Sequence, residues 1–143
     1  MDIPKVTVTN EPGVYECFPD VALTPAGRLV VAYRESDSHV AADFSHLVWR
    51  TSDDGGRTWS PRRYLVRSAA RGGVLQKWNC PRLSALSDGR LALVCDRYAQ
   101  PPGERYGSRR QARVHVWFSS DDAETWDGPH PTGAEGIVPD RIV

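Results

Sequence analysis

Short apolar runs alternate with turns along the whole chain. Residues 18–31 read as an apolar strand, a glycine-containing turn and a second apolar strand, which is the pattern of a β-hairpin. Residues 80–93 repeat this arrangement, and the proline, the glycine, the arginine and the leucine after it recur at a constant spacing of 62 residues. No stretch of the sequence shows a convincing helical period. We therefore predict an all-β protein built from repeated hairpins.

A second motif follows each hairpin. Ser52–Trp59 (SDDGGRTW) is echoed by Ser119–Trp126 (SSDDAETW). Each octapeptide comes directly after an apolar run, so we expect it to end a third strand. We predict a fourth strand at Arg63–Val66 in the first unit, whereas the segment after Trp126 is rich in proline and poorly marked as a strand.

Four short strands per repeat, at about 60 residues each, predict the blades of a β-propeller. Residues 136–143 restart the pattern at Pro139, which indicates a third unit. The predicted organisation is one partial propeller domain over residues 1–143, with blade one at about 15–67 (octapeptide 52–59), blade two at about 76–133 (octapeptide 119–126) and the start of blade three at 136–143.

Charge and composition narrow the functional classes. The 18 basic and 18 acidic residues cancel, so no global field favours nucleic acid or a membrane surface. There is no signal-like N-terminal segment and no apolar stretch long enough to span a bilayer, so we expect a cytoplasmic protein. The three cysteines have no metal-ligand spacing, and we expect reduced, mostly buried thiols and no cofactor or metal.

The octapeptides resemble the Asp box (BNR repeat) of bacterial sialidases, or neuraminidases, whose pattern is Ser-x-Asp-x-Gly-x-Thr-Trp. The first copy matches every defined position, and the second departs only at Ala123, where the family has glycine. The resemblance covers nearly the whole chain and implies a sialidase-like six-bladed β-propeller, of which this chain holds about two blades and the start of a third. It also implies that the boxes maintain the fold on a rim away from the active site, with Asp54 accepting hydrogen bonds from its own turn.

The resemblance implies where a ligand binds. In similar propellers the site lies over the central channel, where arginines clamp the sugar carboxylate, an aspartate is the acid/base and a tyrosine paired with glutamate is the nucleophile. The first clamp arginine normally belongs to an Arg-Ile-Pro motif, but here that position reads Cys17-Phe18-Pro19. The tyrosine and glutamate belong to later blades.

Loop residues matching this site are the candidates for function. The candidate catalytic residues are Asp37 and Asp43, and the candidate substrate-binding residues are Arg34, His39, Trp78, Arg82, Asp96, Arg97 and Arg141. A simpler interpretation is that Arg34 and Glu35 form a surface ion pair and that His39 is a solvated loop histidine. An inserted segment, 99–110, adds Arg105, Tyr106, Arg109 and Arg110 as possible contacts to an anionic sugar, or is a solvated loop.

The expected function is the N-terminal part of a sialidase-like glycoside hydrolase, an exo-α-sialidase or related exo-glycosidase acting on terminal sugars of glycoconjugates or oligosaccharides. The alternative is a non-catalytic Asp-box propeller that binds carbohydrate or protein. The expected partners are a carbohydrate ligand and either the remaining blades or further copies of the chain, which would cover the exposed blade faces; no nucleic acid or membrane partner is expected. The isolated chain is expected to be inactive.

Overall fold

The computed structural model describes residues 5–40, 43–104 and 111–142, and they form two antiparallel β-sheets. The first sheet contains β1 (Tyr15–Leu23), β2 (Leu29–Ser36), β3 (Ser45–Ser52) and β4 (Arg63–Val66) in sequence order. The second contains β5 (Leu75–Trp78), β6 (Arg82–Ala85), β7 (Leu91–Gln100), β8 (Arg113–Ser119) and β9 (Asp127–Glu135) in the order β5-β7-β8-β9, with β6 also paired to β7. The all-β prediction is confirmed, and within the described ranges no helix is long and apolar enough to cross a membrane.

The two predicted hairpins are the β1–β2 and β6–β7 pairs. Their turns close through backbone hydrogen bonds from Gly27 to Thr24 (2.9 Å) and from Gly89 to Leu86 (3.0 Å). Both glycines have positive φ angles, 86° and 90°, which explains why this residue recurs in the repeat.

The repeated prolines mark an irregularity in the first strand of each sheet. In sheet one, the pairing of β1 with β2 shifts register between Cys17 and Asp20, beside Pro19. In sheet two, β5 and β6 pair with successive parts of β7 and are separated by residues 79–81. Proline has no N–H to donate to a neighbouring strand, so a regular ladder cannot continue through it.

Two strand boundaries and one additional strand differ from the prediction. β2 extends to Ser36 and β7 to Gln100, so Arg34, Asp96 and Arg97 lie on strands and not in loops. The proline-rich segment after Trp126 forms β9, a nine-residue edge strand that is exposed at every position. An edge strand with one unpaired side tolerates proline, and without a buried face it has no alternating pattern to recognise.

The core lies between the two sheets. Trp78 and Trp117 of sheet two meet edge to face with centroids 5.1 Å apart, and they share one buried cluster with Leu47 and Trp49 of sheet one. The Trp49 indole Nε1 donates a 3.0 Å hydrogen bond across the interface to the Ala123 carbonyl oxygen. Aromatic packing and one directed hydrogen bond therefore fix the two sheets together.

The octapeptides form tight turns at the ends of β3 and β8. Asp54 Oδ1 accepts backbone hydrogen bonds from Arg57 and Thr58, both at 2.9 Å, and Thr58 Oγ1 donates to Asp54 Oδ2 at 2.6 Å. These hydrogen bonds hold the pKa of the Asp54 carboxyl well below its usual range, and the two from Thr58 have the largest effect. In the second copy Ala123 adopts a φ of 63° in place of glycine and is fully buried. The predicted turn-stabilising role of Asp54 is confirmed.

Candidate functional site

A cleft of about 210 Å³ opens between the two sheets. It lies at the end of the strands opposite the octapeptides, because β2 runs from Leu29, beside Ser52, to Ser36, beside Ser45. The cleft contains two of the sequence candidates, His39 and Arg82. Its lining residues are Phe18, His39, Lys77, Asn79, Cys80, Arg82, Ile137 and Val138.

A chain of three buried side chains connects the sheets behind this cleft. Arg34 Nη1 donates to Asn79 Oδ1 at 3.0 Å, and Asn79 Nδ2 donates to Asp96 Oδ2 at 3.2 Å. Arg34 and Asp96 are both fully buried. One neutral amide therefore links a buried cation of sheet one to a buried carboxyl group of sheet two, using both its acceptor and its donor.

Arg34 has an incomplete set of partners. Its Nη2 donates to the His39 carbonyl oxygen at 2.8 Å, and its guanidinium carbon lies 4.9 Å from the centre of the Phe18 ring. Its Nε is buried and has no hydrogen-bond partner among the described residues. No carboxylate of the described chain forms an ion pair with Arg34. A buried guanidinium without a direct counter-ion raises the positive potential around it.

The simpler interpretation, a surface ion pair between Arg34 and Glu35, is wrong. Successive side chains of a strand point to opposite faces of the sheet, so these neighbours on β2 cannot meet. Glu35 is only 2 % exposed and pairs instead with Arg62 at 3.3 Å. Burial raises the pKa of the Glu35 carboxyl, and Arg62 acts in the opposite direction.

Asp96 is the acidic member of the site. Its Oδ1 accepts a 3.2 Å hydrogen bond from the Cys80 backbone N–H. Burial raises the pKa of Asp96, although the hydrogen bonds from Cys80 and Asn79 oppose the shift. Burial, with Asp96 nearby, also raises the pKa of the Cys80 thiol to about 11, which favours the neutral thiol at neutral pH.

Lys77 and Asn79 were missed by sequence reasoning. Lys77 is 2 % exposed, and its Nζ donates to the Val40 carbonyl oxygen at 2.5 Å. Lys77 lies between Gln76 and Trp78, so no apolar context marks it as buried in the sequence, and lysine is rarely buried without a partner. Asn79 occupies the position before the repeated Cys80-Pro81, and nothing in its own spacing indicated a link to Arg34.

The two predicted acid/base residues lie outside the cleft lining. Asp37 Oδ1 accepts backbone hydrogen bonds from Asp43 at 3.1 Å and Phe44 at 3.4 Å, and Ser38 Oγ donates to Asp37 Oδ2 at 3.1 Å. The Asp37 carboxylate therefore closes the connection between β2 and β3. Asp43 is exposed and contributes its backbone N–H to that turn.

The remaining candidates do not line the cleft in the described part of the chain. Trp78 is 4 % exposed and packs against Trp117 and His115, with Arg97 over its ring at 5.5 Å, so it has no free face for a sugar. Arg141 forms an ion pair with Asp20 and lines a separate groove beside β1 and β6. The inserted-loop candidates Arg105, Tyr106, Arg109 and Arg110 lie outside the described residues.

His39 lies at the exposed edge of the cleft. Its Nδ1 is 3.2 Å from the Tyr15 hydroxyl oxygen, and its ring is tilted against Phe18 with centroids 5.7 Å apart. Arg82, half-buried, donates from Nη1 to the Pro81 carbonyl oxygen at 3.0 Å. These two side chains are therefore accessible to a ligand, while Arg34 and Lys77 act from within the protein.

Comparison with known proteins supports the fold alone. No family model and no curated protein matches the chain. A protein of unknown function from Dyadobacter fermentans matches with a TM-score of 0.64 and 22 % identity, over 87 % of this chain and 38 % of that one. An α-L-arabinanase from Penicillium chrysogenum, solved with arabinobiose, matches with a TM-score of 0.49 and 20 % identity, over 81 % of this chain and 31 % of that one. The chain thus spans well under half the length of either protein.

Proposed function

We propose that the two sheets are blades of a sialidase-like β-propeller and that the cleft is part of a carbohydrate site in a glycoside hydrolase of that kind. The observation that carries this proposal is the buried, incompletely partnered Arg34 beside a cleft lined by Lys77 and Arg82. Two cations line this small cavity and Arg34 lies behind it, bonded to the lining residue Asn79. Burial raises the pKa of the nearby Asp96 carboxyl group. Such a site favours an anionic sugar.

Two residues contact the ligand directly, and two buried cations act on it through their electrostatic potential. Arg82 and His39 contact the ligand, because they line the cleft and reach its edge. Arg34 and Lys77 are buried, so they act through positive potential in a region of low dielectric. The repeated octapeptides support the sialidase-like assignment, since both copies form the same hydrogen-bonded turn.

A binding titration tests the proposal directly. N-acetylneuraminate is added to the chain in solution and followed by nuclear magnetic resonance, with its uncharged methyl ester as the matched ligand. We expect binding of the acid, weaker binding of the ester, and a loss of about 10-fold in affinity for Arg82→Gln, since a hydrogen bond to a charged group is worth about 1.5 kcal/mol or more. Arg57→Gln, at the octapeptide end, is the control. Equal affinity for acid and ester would contradict an anion site.

A non-catalytic, carbohydrate-binding propeller is the second candidate. It is favoured by the hydrogen bonds that occupy the Asp37 carboxylate and by the absence of a carboxylate from the described cleft lining. Turnover of an aryl sialoside by the assembled propeller separates the two functions. Hydrolysis that is lost in Asp37→Asn or Asp43→Asn supports the enzyme, whereas ligand binding without any hydrolysis supports the binding protein.

A further inference from the structure

A second and larger cavity, about 610 Å³, lies between the two sheets on the outer side of β5. We call it the outer groove; the lining residues that matter are His46, Arg67, Ser68, Arg71 and Gln76. Gln76 of β5 lines the outer groove, and the next residue, Lys77, lines the cleft. The outer groove and the cleft therefore lie on opposite sides of β5, at the end of the sheets away from the octapeptides.

Arginines without an ion pair are concentrated at this end. Seven described arginines pair with carboxylates: Arg28, Arg50, Arg62, Arg63, Arg90, Arg113 and Arg141. Six others in the described ranges form no ion pair, and five of these lie at the cleft end: Arg34, Arg67, Arg71, Arg82 and Arg97. No acidic side chain belongs to the described lining of the outer groove. Although the chain has no net charge, its arginine charge outside ion pairs is concentrated at the cleft end of the described sheets.

The two groove arginines are held on ordered backbone. The Ser68 carbonyl oxygen accepts from the Ser45 N–H at 2.9 Å, and Ala70 donates its N–H to the Asp43 carbonyl oxygen at 2.8 Å. Arg71 and Val74 exchange two backbone hydrogen bonds of 3.0 Å. A site presented in this way loses little conformational freedom when it binds.

Arg67 is further oriented by stacking. Its guanidinium carbon lies 3.9 Å from the centre of the Tyr64 ring, and Arg62 lies 5.7 Å from the same ring. His46 packs edge-on against Tyr64 and is tilted against Phe44. Tyr64 is thus contacted by two arginines and by His46, which reduces the open aromatic surface on which nucleic-acid bases could stack.

We propose that the outer groove is a second anion-binding site, specific for a polysaccharide that carries carboxylate groups. Arg67 and Arg71 bind successive carboxylates, and the exposed Gln76 side-chain amide faces the sugar hydroxyls between them. Ser68 supports this arrangement, because its Oγ donates to the Gln76 carbonyl oxygen at 2.7 Å. The proposal is independent of the function of the cleft, because it needs neither catalysis nor occupancy there. Charge complementarity favours an acidic polymer, and the contacts of Tyr64 with Arg62 and Arg67 favour a polysaccharide over single-stranded nucleic acid.

Oligogalacturonate is the probe, with maltohexaose as a neutral oligosaccharide of similar length and oligothymidylate as a nucleic acid. Binding to the 143-residue chain is measured by calorimetry at fixed ionic strength. The groove variant is Arg67→Gln/Arg71→Gln. The control, Arg57→Gln/Arg90→Gln, removes the same charge from exposed positions at the octapeptide end. Circular dichroism melts establish that both variants are folded.

We expect oligogalacturonate to bind the chain, to lose at least about 10-fold in affinity in the groove variant and to change less than about 2-fold in the control. Arg82→Gln removes a cation from the cleft and reports binding there; a loss in Arg82→Gln as large as that in the groove variant would assign the binding to the cleft and overturn the proposal. Equal losses in groove and control variants would mean attraction to net charge alone and would overturn the proposal. So would binding of maltohexaose with equal affinity, tighter binding of oligothymidylate, or no binding of oligogalacturonate.

Discussion

Replacing Trp49 with phenylalanine tests how the two sheets are joined. Trp49 is 8 % exposed, and its Nε1 donates to the carbonyl oxygen of the fully buried Ala123. Phenylalanine retains most of the ring but leaves that carbonyl oxygen without a donor. A buried acceptor without a hydrogen-bond donor lowers the free energy of unfolding by about 1 to 3 kcal/mol. We therefore expect Trp49→Phe to lower the free energy of unfolding by at least this amount.

Trp59 provides a matched control within the same sheet. It is half-buried in the first octapeptide, and its Nε1 is buried without a partner among the described residues. Trp59→Phe removes the same indole N–H but breaks no hydrogen bond, so the polar part of the loss is absent. The difference between the two substitutions isolates the hydrogen bond that crosses the interface.

Urea denaturation followed by far-ultraviolet circular dichroism measures both variants, with free energies from linear extrapolation. We expect Trp49→Phe to be less stable than Trp59→Phe by about 1 to 3 kcal/mol. If the two differ by less than about 0.5 kcal/mol, the Trp49 to Ala123 bond does not hold the sheets together, and the reasoning fails.

Four further predictions follow from the same structure. Asn79→Ala should lower the free energy of unfolding by about 2 to 5 kcal/mol in urea denaturation, because it strands a buried cation and a buried carboxyl group. The depressed pKa of Asp54 makes its stabilising effect complete above the ordinary value of 3.8, with loss as pH falls toward the folded pKa, so Asp54→Asn should flatten the acid limb of melting temperature against pH. Arg28→Ala should cost under about 1 kcal/mol in the same denaturation assay despite its pairs with Asp53 and Glu124, since both partners are exposed. Light scattering should detect self-association of the chain that Leu23→Lys reduces, because Leu23 is 58 % exposed on edge strand β1; a monomer at all concentrations would contradict this.

The hairpins and β4 were predictable because their signals are local. A glycine that must adopt positive φ between two apolar runs identifies each hairpin, as Gly27 and Gly89 do. β9 was not predictable, since it has no buried face and its pairing with β8 contains two register shifts. Its position depends on the neighbouring strand and not on its own residues.

The sequence predicted those site residues that are charged and lie in segments expected to be loops. It did not predict residues whose role depends on being buried by distant parts of the chain. Arg34, His39 and Arg82 were selected as loop residues that match the binding face of sialidase-like propellers, and they lie in or beside the cleft. Lys77 is a polar residue within a strand, and its buried position depends on a hydrogen bond to the carbonyl oxygen of Val40, 37 residues earlier, which no local pattern encodes. Trp78 was selected as a substrate-binding residue because an isolated sequence does not reveal that Trp117 and His115 pack against its ring.

The repeat explains why both sheets carry a charge at the cleft. The spacing of 62 residues that aligns the two hairpins also aligns Arg34 with Asp96. Two identical charges at these equivalent buried positions would repel each other, whereas opposite charges linked by Asn79 stabilise one another. The repeat is therefore retained at the turns, where each sheet needs the same backbone geometry. It diverges at the cleft, where one sheet must complement the other. Arg34, whose Nε has no partner among the described residues, lies at that point of divergence.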